Sequence, residues 1–359
     1  MAQRPTNRMK IAFRILCIVA VTMWAIGFAP LLAFAQPTDS YSDQRQVEVP
    51  SPAAIDFSQQ TKPTQTFLPI VRGPCDPDYW IISSRYAREH VEAGQAYDYE
   101  VFRFDGPQPG RNSSMDELLA SLQPGVPVCF MAHGSFVTWE SMLNDSARTY
   151  PWLRQAAPCQ PVHLIFYTWA SDDGGCIPHL RVNKLGRRAA LNGFYLADLV
   201  SKISIDHPVC LIGHSHGTRL VTAALHSMAG GEVEGRVLAS GIQPTRRIRV
   251  VLAAAAIDHN WLNPNERYGR ALCPAEAMIN LRNSVDFPLL FHPLRRPFAG
   301  RALAISGLTD RDRESLGDWN EKFIDYSVTD LVGLGHIWAH YYNQPRIADA
   351  IRHYVYFDE

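Results

Sequence analysis

The segment that most constrains the fold of this chain is residues 209–217, which read VCLIGHSHG. It places Ser215 between two glycines, after an apolar run with the length of a strand and before residues 218–228, whose apolar positions have helical spacing. Glycines on both sides permit a strand-to-helix turn that is too tight for larger side chains, with the serine in a strained conformation. The serine oxygen then projects beside a helix N-terminus, where partial positive charge favours a developing anion. The segment therefore predicts a strand, a sharp turn and a helix, with Ser215 as a candidate nucleophile.

From Tyr79 onward, the chain alternates short apolar runs with amphipathic segments. This alternation is typical of α/β proteins with a mostly parallel sheet, and continuous apolar runs indicate strands that helices cover on both faces. We expect the first two strands to form an antiparallel hairpin. The eight predicted strands are residues 79–83, 97–104, 126–132, 162–168, 209–213, 248–255, 277–282 and 323–328. The predicted helices are residues 115–122, 185–203, 218–228 and a C-terminal helix that begins at Pro345.

The N-terminus has the pattern of a secretory signal peptide. Four basic residues and no acidic one precede an apolar run over residues 15–28, and the small-residue pattern AFA follows at 33–35. We expect cleavage before Gln36, which removes residues 1–35 and leaves a periplasmic or secreted protein. The alternative is that residues 15–34 remain as an uncleaved membrane anchor. Both interpretations predict export.

The organisation of the rest follows from composition. Residues 36–74 are rich in Pro, Gln, Ser and Thr, so they bury too little apolar surface to offset the entropy of ordering, and we expect a flexible linker. Residues 75–359 are expected to form one domain.

The charge balance argues against one class of partner. The formal net charge is -1, and without the four basic residues of the N-terminal segment the chain has 30 basic and 35 acidic residues. Nucleic acid is therefore not an expected partner, because phosphate binding needs a concentrated basic surface.

The cysteines permit disulfides in an oxidising compartment. Without Cys17, six remain: Cys75, Cys129, Cys159, Cys176, Cys210 and Cys273. We single out Cys159 with Cys176 as a pair, since both lie in loops that flank one predicted strand. Cys129 and Cys210 fall in predicted core strands, where a free thiol behaves as a small hydrophobe. The sequence contains no CxxC motif, so we expect no thiolate zinc site.

Two segments together resemble the α/β-hydrolase superfamily, and within it a bacterial branch of small serine esterase-like proteins. The first is the Gly-x-Ser-x-Gly turn around Ser215. The second is residues 166–171, FYTWAS, because the strand before the turn in that branch ends in an aromatic residue, a tryptophan and a small polar residue. The resemblance covers about residues 78–358. It implies an α/β-hydrolase fold, with a mostly parallel eight-stranded sheet flanked by helices on both faces, and a serine hydrolase that cleaves an ester or related acyl bond without a cofactor.

Residues 128–136, VCFMAHGSF, resemble the oxyanion loop of that superfamily, in which a strand ends in His-Gly. The match implies that the backbone N–H of Ser135 or Phe136 joins that of His216 to hold the oxyanion. The alternative is that His133 merely caps the end of a strand.

The acid and the base of a catalytic triad should follow Ser215 in that order along the chain. Asp286 comes after the predicted strand 277–282, at the usual acid position of the superfamily, and Asp258 is the alternative. For the base, residues 333–342 read GLGHIWAHYY, and they offer His336 or His340. The pattern favours Asp286 and His336, and both alternatives remain open.

Two other classes of function remain open on the sequence. A hydrolase fold without activity could serve as a binding protein at the cell surface, since function belongs to sites rather than folds. The other class is a catalytic metal site. Its candidate ligands are His214, His216, His336, His340 and the pair Asp258-His259. We expect neither a metal nor another cofactor, because His214 and His216 flank a serine within the turn.

The substrate is the least constrained part of the prediction. A carboxylic ester, including a lipid ester, is the default. Residues 139–158 and 261–274 are candidate cap insertions that would set the choice of substrate. Aromatic side chains that could line a cleft are Phe136, Trp139, Trp169 and Trp338.

Overall fold

The apolar runs of the sequence form one sheet. The structure is a computed structural model that describes residues 78–89, 95–106, 110–172, 178–238, 246–296 and 298–358. The predicted signal peptide (1–35), the predicted linker (36–74) and Cys176, the predicted partner of Cys159, lie outside the described residues. Among the residues described, no helix is both long and apolar enough to cross a membrane.

The strands are β1 (Tyr79–Ser83), β2 (Glu100–Phe104), β3 (Arg111–Ser113), β4 (Val128–Ala132), β5 (His163–Thr168), β6 (Val209–His214), β7 (Ile248–Ala253), β8 (Ala277–Arg282) and β9 (Phe323–Ser327). The helices are α1 (Met115–Ser121), α2 (Trp139–Ala156), α3 (Pro178–Lys202), α4 (His216–Met228), α5 (Phe287–Leu290), α6 (Leu303–Ser306), α7 (Asp310–Leu316), α8 (Thr329–Val332), α9 (Ala339–Tyr342) and α10 (Pro345–Tyr356). Short 3₁₀ helices span His292–Arg295 and Gly317–Lys322.

The sheet has the strand order β3-β2-β1-β5-β4-β6-β7-β8-β9. The strands from β1 across to β9 pair in parallel, whereas β2 pairs antiparallel with β1, as we expected of the first two strands. The expected number of eight strands is wrong, because β3 adds a ninth that pairs with β2. This edge strand has the sequence RNS, which carries no apolar pattern from which it could be recognised.

Helices cover both faces of the sheet. Every residue of β4 and β6 is buried, and successive side chains of a strand point to opposite faces. The covering helices form two packed pairs, α3 with α4 and α2 with α10. Cys129 and Cys210 are paired residues of β4 and β6, and both are buried free thiols, as their core positions predicted.

The two candidate cap insertions are packed parts of the domain. Residues 139–156 form α2, where Trp152 stacks edge-on against Trp338 and donates its indole N–H to the carbonyl of Gln344 at 3.1 Å. Residues 261–274 form successive turns next to α4, with Trp261 and Tyr268 buried. The expectation of a cap at 139–158 is therefore wrong, because the apolar face of that helix packs on α10.

Candidate active site

Ser215 sits in the sharp turn between β6 and α4. Its backbone angles, φ 52° and ψ -122°, lie in a region that L-residues rarely occupy. A Cβ atom at Gly213 would lie 2.7 Å from the carbonyl oxygen of Gly217, and one at Gly217 would lie 2.1 Å from that of Ala132. Only glycine fits at these two positions, so the strained serine and its flanking glycines form one unit.

Ser215, His336 and Asp286 form a continuous hydrogen-bonded relay. The Oγ of Ser215 lies 3.0 Å from Nε2 of His336. The Nδ1 of His336 lies 3.0 Å and 2.9 Å from the two carboxylate oxygens of Asp286. Asp286 is fully buried, whereas 20% of the His336 side chain is exposed. A hydroxyl next to an imidazole that a carboxylate orients is the arrangement that activates a serine as a nucleophile.

Asp286 is positioned by the end of β8 and the start of α5. Its Oδ1 accepts a hydrogen bond from the backbone N–H of Leu289 at 3.2 Å, so the carboxylate is also the N-cap of α5. The same oxygen faces the imidazole of His336. A buried carboxylate with two donors is held in one orientation.

The loop that carries His336 is fixed by two side chains that we did not predict from the sequence. Asn283 donates its amide to the carbonyl of Gly333 at 2.8 Å. His214 donates Nε2–H to the carbonyl of His336 at 2.7 Å. Burial, followed by the nearby charge of His336, lowers the pKa of His214 to about 3, so this ring is neutral at physiological pH. Asn283 and His214 therefore hold the loop of His336 through its backbone carbonyls.

The two alternative triad residues do not join the relay. Asp258 accepts hydrogen bonds from His292, Arg295, Arg296 and the backbone of Gly300. Burial alone would favour the neutral acid, but the His292 bond and the charge of Arg295 outweigh it and lower the pKa of Asp258 to about 2. His340 lies on α9 with an exposed ring that bonds neither Ser215 nor Asp286. Asp258 and His340 therefore lie outside the hydrogen-bonded relay, which contains Asp286 and His336.

Of the three predicted oxyanion residues, Ser135 and His216 contact each other, whereas the amide of Phe136 is occupied. Phe136 donates its N–H to the carbonyl of Ser171 at 2.8 Å, so the alternative that assigned it to the oxyanion is wrong. The N–H groups of Ser135 and His216 donate to no described residue, and that of His216 begins α4. The Ser135 hydroxyl lies 2.6 Å from Nδ1 of His216, which ties the two segments together.

The end of β5 anchors the loop 133–137, which follows β4. His133 is buried, and its Nε2 lies 2.7 Å from the hydroxyl of Thr168. Trp169 donates its indole N–H to the carbonyl of His133 at 3.0 Å, and the Ser171 hydroxyl donates to the carbonyl of Val137 at 3.0 Å. The last residues of the FYTWAS segment therefore have a structural role, because they hold the loop that contains Ser135.

The aromatic side chains that were candidates for lining a cleft differ in their burial. Trp169 and Trp338 are buried, and Trp139 packs against Phe102 with ring centroids 5.1 Å apart, so these three belong to the packing of the domain. Phe136 is 45% exposed. Other exposed apolar side chains directly flank the relay: Phe287 follows Asp286, and Leu334 and Ile337 lie on either side of His336. These four exposed apolar side chains, which we call the apolar rim, belong to the segments that carry Ser135, Asp286 and His336.

The histidines near Ser215 do not converge on a common point. His214 bonds the carbonyl of His336, His216 bonds Ser135, and His259 bonds Asp312 at 2.6 Å. Within the described ranges, no group of three or more His, Cys, Asp or Glu side chains is placed to hold a metal ion.

Comparisons with known proteins add little to this geometry. No protein-family model matches the chain, and no curated protein matches it. Among solved structures, the chain is similar to a novel cutinase-like protein from Cryptococcus sp., with 12% sequence identity and a TM-score of 0.28. The match covers 64% of this chain and 91% of that chain. A similarity this low supports no inference about activity, so function has to be inferred from the surroundings of Ser215.

Proposed function

We propose that the chain is a serine hydrolase with an α/β-hydrolase fold that cleaves carboxylic esters through an acyl-enzyme on Ser215. The observation that supports this most directly is the relay from the Ser215 hydroxyl through His336 to buried Asp286, with both links at hydrogen-bond distance. The strained backbone of Ser215 at the start of α4 supports the same role, since it presents the hydroxyl at the end of the sheet.

In the first half of the reaction, the Oγ of Ser215 attacks the ester carbonyl carbon while Nε2 of His336 takes the proton of the Ser215 hydroxyl. Asp286 orients the imidazole and stabilises its charged form without accepting the proton. The tetrahedral intermediate collapses, the bond to the alcohol oxygen breaks, and His336 returns the proton to the departing alcohol. In the second half, water attacks the acyl-enzyme with the same base, and the carboxylic acid leaves.

The developing oxyanion is held by the backbone N–H groups of Ser135 and His216. One such donor is commonly worth about 3 kcal/mol of the barrier. Both amides belong to segments that are fixed before substrate arrives, because Phe136 is bound to Ser171 and His216 opens α4. Little reorganisation is then needed in the transition state.

The apolar rim of Phe136, Phe287, Leu334 and Ile337 favours esters whose acyl or alcohol part is apolar. We further propose that the protein is exported by its N-terminal segment, residues 1–35, and acts on small-molecule or lipid esters outside the cytoplasm.

The full chain should hydrolyse short p-nitrophenyl esters and be labelled by a fluorophosphonate probe. Ser215→Ala should abolish both, because no other hydroxyl in the described chain contacts His336. Ser201→Ala, an exposed serine on α3, is the matched control and should behave as the parent. His336→Ala should lose turnover, whereas His340→Ala should keep most of it.

Continued labelling of Ser215→Ala would reject Ser215 as the nucleophile. A folded parent protein that neither turns over esters nor reacts with the probe would reject the hydrolase and favour a binding protein with the same fold.

A further inference from the structure

A cluster of guanidinium groups lies on the side of the site next to His216. Four arginines surround the buried ring of Trp261, with their guanidinium carbons 4.8–5.8 Å from the ring centroid: Arg219, Arg267, Arg295 and Arg296. Two come from the segment after Asp286, one from α4 and one from the turns 261–274. We refer to these four residues as the Trp261 arginines.

The Trp261 arginines carry more positive charge than the carboxylates that contact them. Asp258 pairs with Arg295 and Arg296, and Glu234 pairs with Arg219 at 3.0 Å and with Arg267 at 2.9 Å. Within the described residues, four positive charges therefore face two negative ones. Like charges held together in a partly buried place are costly unless another anion compensates them.

Two of the guanidinium groups also carry donors that form no hydrogen bond with any residue the structure describes. The side chain of Arg219 is only 8% exposed, and its Nη1 forms no hydrogen bond with a described residue, although Nε and Nη2 do. The Nε of Arg295 is buried without a partner. Burial and the charges of Arg219 and Arg296 lower the pKa of Arg295 to about 10, despite the opposing effect of Asp258. A buried cationic donor without an acceptor is costly, and an anionic ligand would supply a strong, charge-assisted acceptor.

The cluster is next to the nucleophile. Arg219 follows Ser215 by four residues on α4, about 6 Å along the helix axis. Gly186 on α3 lies between the cluster and the oxyanion residues, since a Cβ atom there would be 2.7 Å from Nη1 of Arg219 and 3.4 Å from Nε2 of His216. A side chain at Gly186 would clash with Nη1, and the same position contacts the His216 ring, so Arg219 and His216 lie within a few ångströms of each other against α3.

We propose that the Trp261 arginines, with Arg219 and Arg295 as the main contacts, bind an anionic group of the substrate, a carboxylate or a phosphate, a few bonds from the scissile ester. The preferred substrates are then esters that carry one negative charge. This inference rests on the proposed function of Ser215 and adds the class of substrate. The anion can belong to the acyl part or to the alcohol part of the ester, and the test distinguishes these two.

Two matched pairs of esters test the proposal in the full chain. For the acyl part, the mono-p-nitrophenyl ester of glutaric acid is compared with p-nitrophenyl valerate. For the alcohol part, 4-acetoxybenzoic acid is compared with its methyl ester. In at least one pair, kcat/KM of the anionic ester should exceed that of the neutral ester by at least about tenfold, which is the value of one charge-assisted hydrogen bond. High salt should reduce this ratio.

Variants show whether the arginines cause the preference. Arg295→Gln should reduce the ratio to near one, and Arg295→Lys should restore part of it. Arg219→Lys tests the second contact without removing its buried charge. Arg148→Gln, an exposed residue on α2, is the control and should leave the ratio unchanged. Because each ratio is taken within one variant, partial misfolding cancels.

The proposal is overturned if Ser215 hydrolyses the neutral esters but neither pair shows a preference for the anion, or if Arg295→Gln keeps the preference. If no ester is cleaved and Ser215 is not labelled, the proposed hydrolase itself fails. The two failures are therefore distinguishable.

Discussion

Asp286 meets two structural demands with one carboxylate. It caps α5 through the N–H of Leu289, and it binds the imidazole of His336 through both oxygens. An amide in its place can still cap the helix, because Asn is as good an N-cap as Asp. It cannot favour the charged imidazole, and it would stabilise the wrong tautomer of His336.

Asp286→Asn should therefore fold like the parent but lose about 10³–10⁴-fold in kcat, the scale of the same change in serine proteases. The measurement is steady-state ester hydrolysis together with the midpoint of urea unfolding. Asp310→Asn, at the exposed first turn of α7, is the control. A variant that keeps its rate would mean that Asp286 is only a helix cap.

Asp258 and Asp286 show how far the role of a single residue can be predicted from sequence. Both follow a strand of the sheet, and both looked suitable as the acid. Asp258 is paired with Arg295 and Arg296, which lie 37 and 38 residues further along the chain, so only tertiary structure shows that its carboxylate is already engaged. Ser215 is different, because the spacing of its two glycines is a local signal.

At the scale of elements, the loop 133–137 depends on the residues after β5. Ser171 makes three hydrogen bonds to this loop. Its carbonyl accepts from the N–H of Phe136, and its hydroxyl both donates to the carbonyl of Val137 and accepts from the N–H of Val137. Phe136 has a positive φ of 65°, a conformation that such a residue keeps only when its neighbours enforce it. The anchored loop fixes the position of the Ser135 amide.

Ser171→Ala should remove both hydrogen bonds of the hydroxyl with Val137 and let the loop relax. We expect kcat for a p-nitrophenyl ester to fall by at least about fivefold, with KM changed less, because a net hydrogen bond is worth about 1 kcal/mol. Ser201→Ala is the matched control on α3. An unchanged kcat would show that the Ser171 carbonyl alone is enough to hold the loop.

The elements that sequence predicted well are those with a strong apolar pattern. Strands β4 and β6 are buried on both faces, and their predicted positions agree with the structure within two residues. The polar strand β3 was missed, and α3 begins at Pro178, seven residues before its predicted start. Phe136 was assigned to the oxyanion because the sequence cannot show that the carbonyl of Ser171 occupies its N–H.

At the scale of the whole molecule, the fold holds several neutral histidines in its interior. Burial lowers the pKa of His133 and of His214 to about 3, with smaller contributions from Arg85 and His336 respectively. Both support the site, His133 in the loop before Ser135 and His214 next to Ser215. The stability of the fold is therefore coupled to pH at the place where the chemistry is proposed.

We expect the free energy of unfolding to decrease as the pH falls below about 6.5, the pKa of an unfolded histidine. Below that pH the unfolded chain binds protons that the folded chain does not, so the stabilisation present above pH 6.5 is lost progressively towards pH 3. Each of the two histidines contributes up to about 1.4 kcal/mol per pH unit.

Urea unfolding at several pH values between 7.5 and 4.5 measures this slope. His214→Gln should make the slope shallower, whereas His353→Gln, an exposed residue on α10, should not. An equal slope in the parent and in His214→Gln would contradict the prediction.

The pairing of β4 with β6 has a consequence for the chemistry of the chain. The amides of Ser135 and His216 come from segments that follow these two neighbouring strands, so the distance between them is set by main-chain bonds deep within the sheet. A substitution that loosens those strands would slow turnover even if the substituted residue does not contact the substrate. Laboratory evolution of the activity should then accumulate changes in the interior as well as around the mouth of the site.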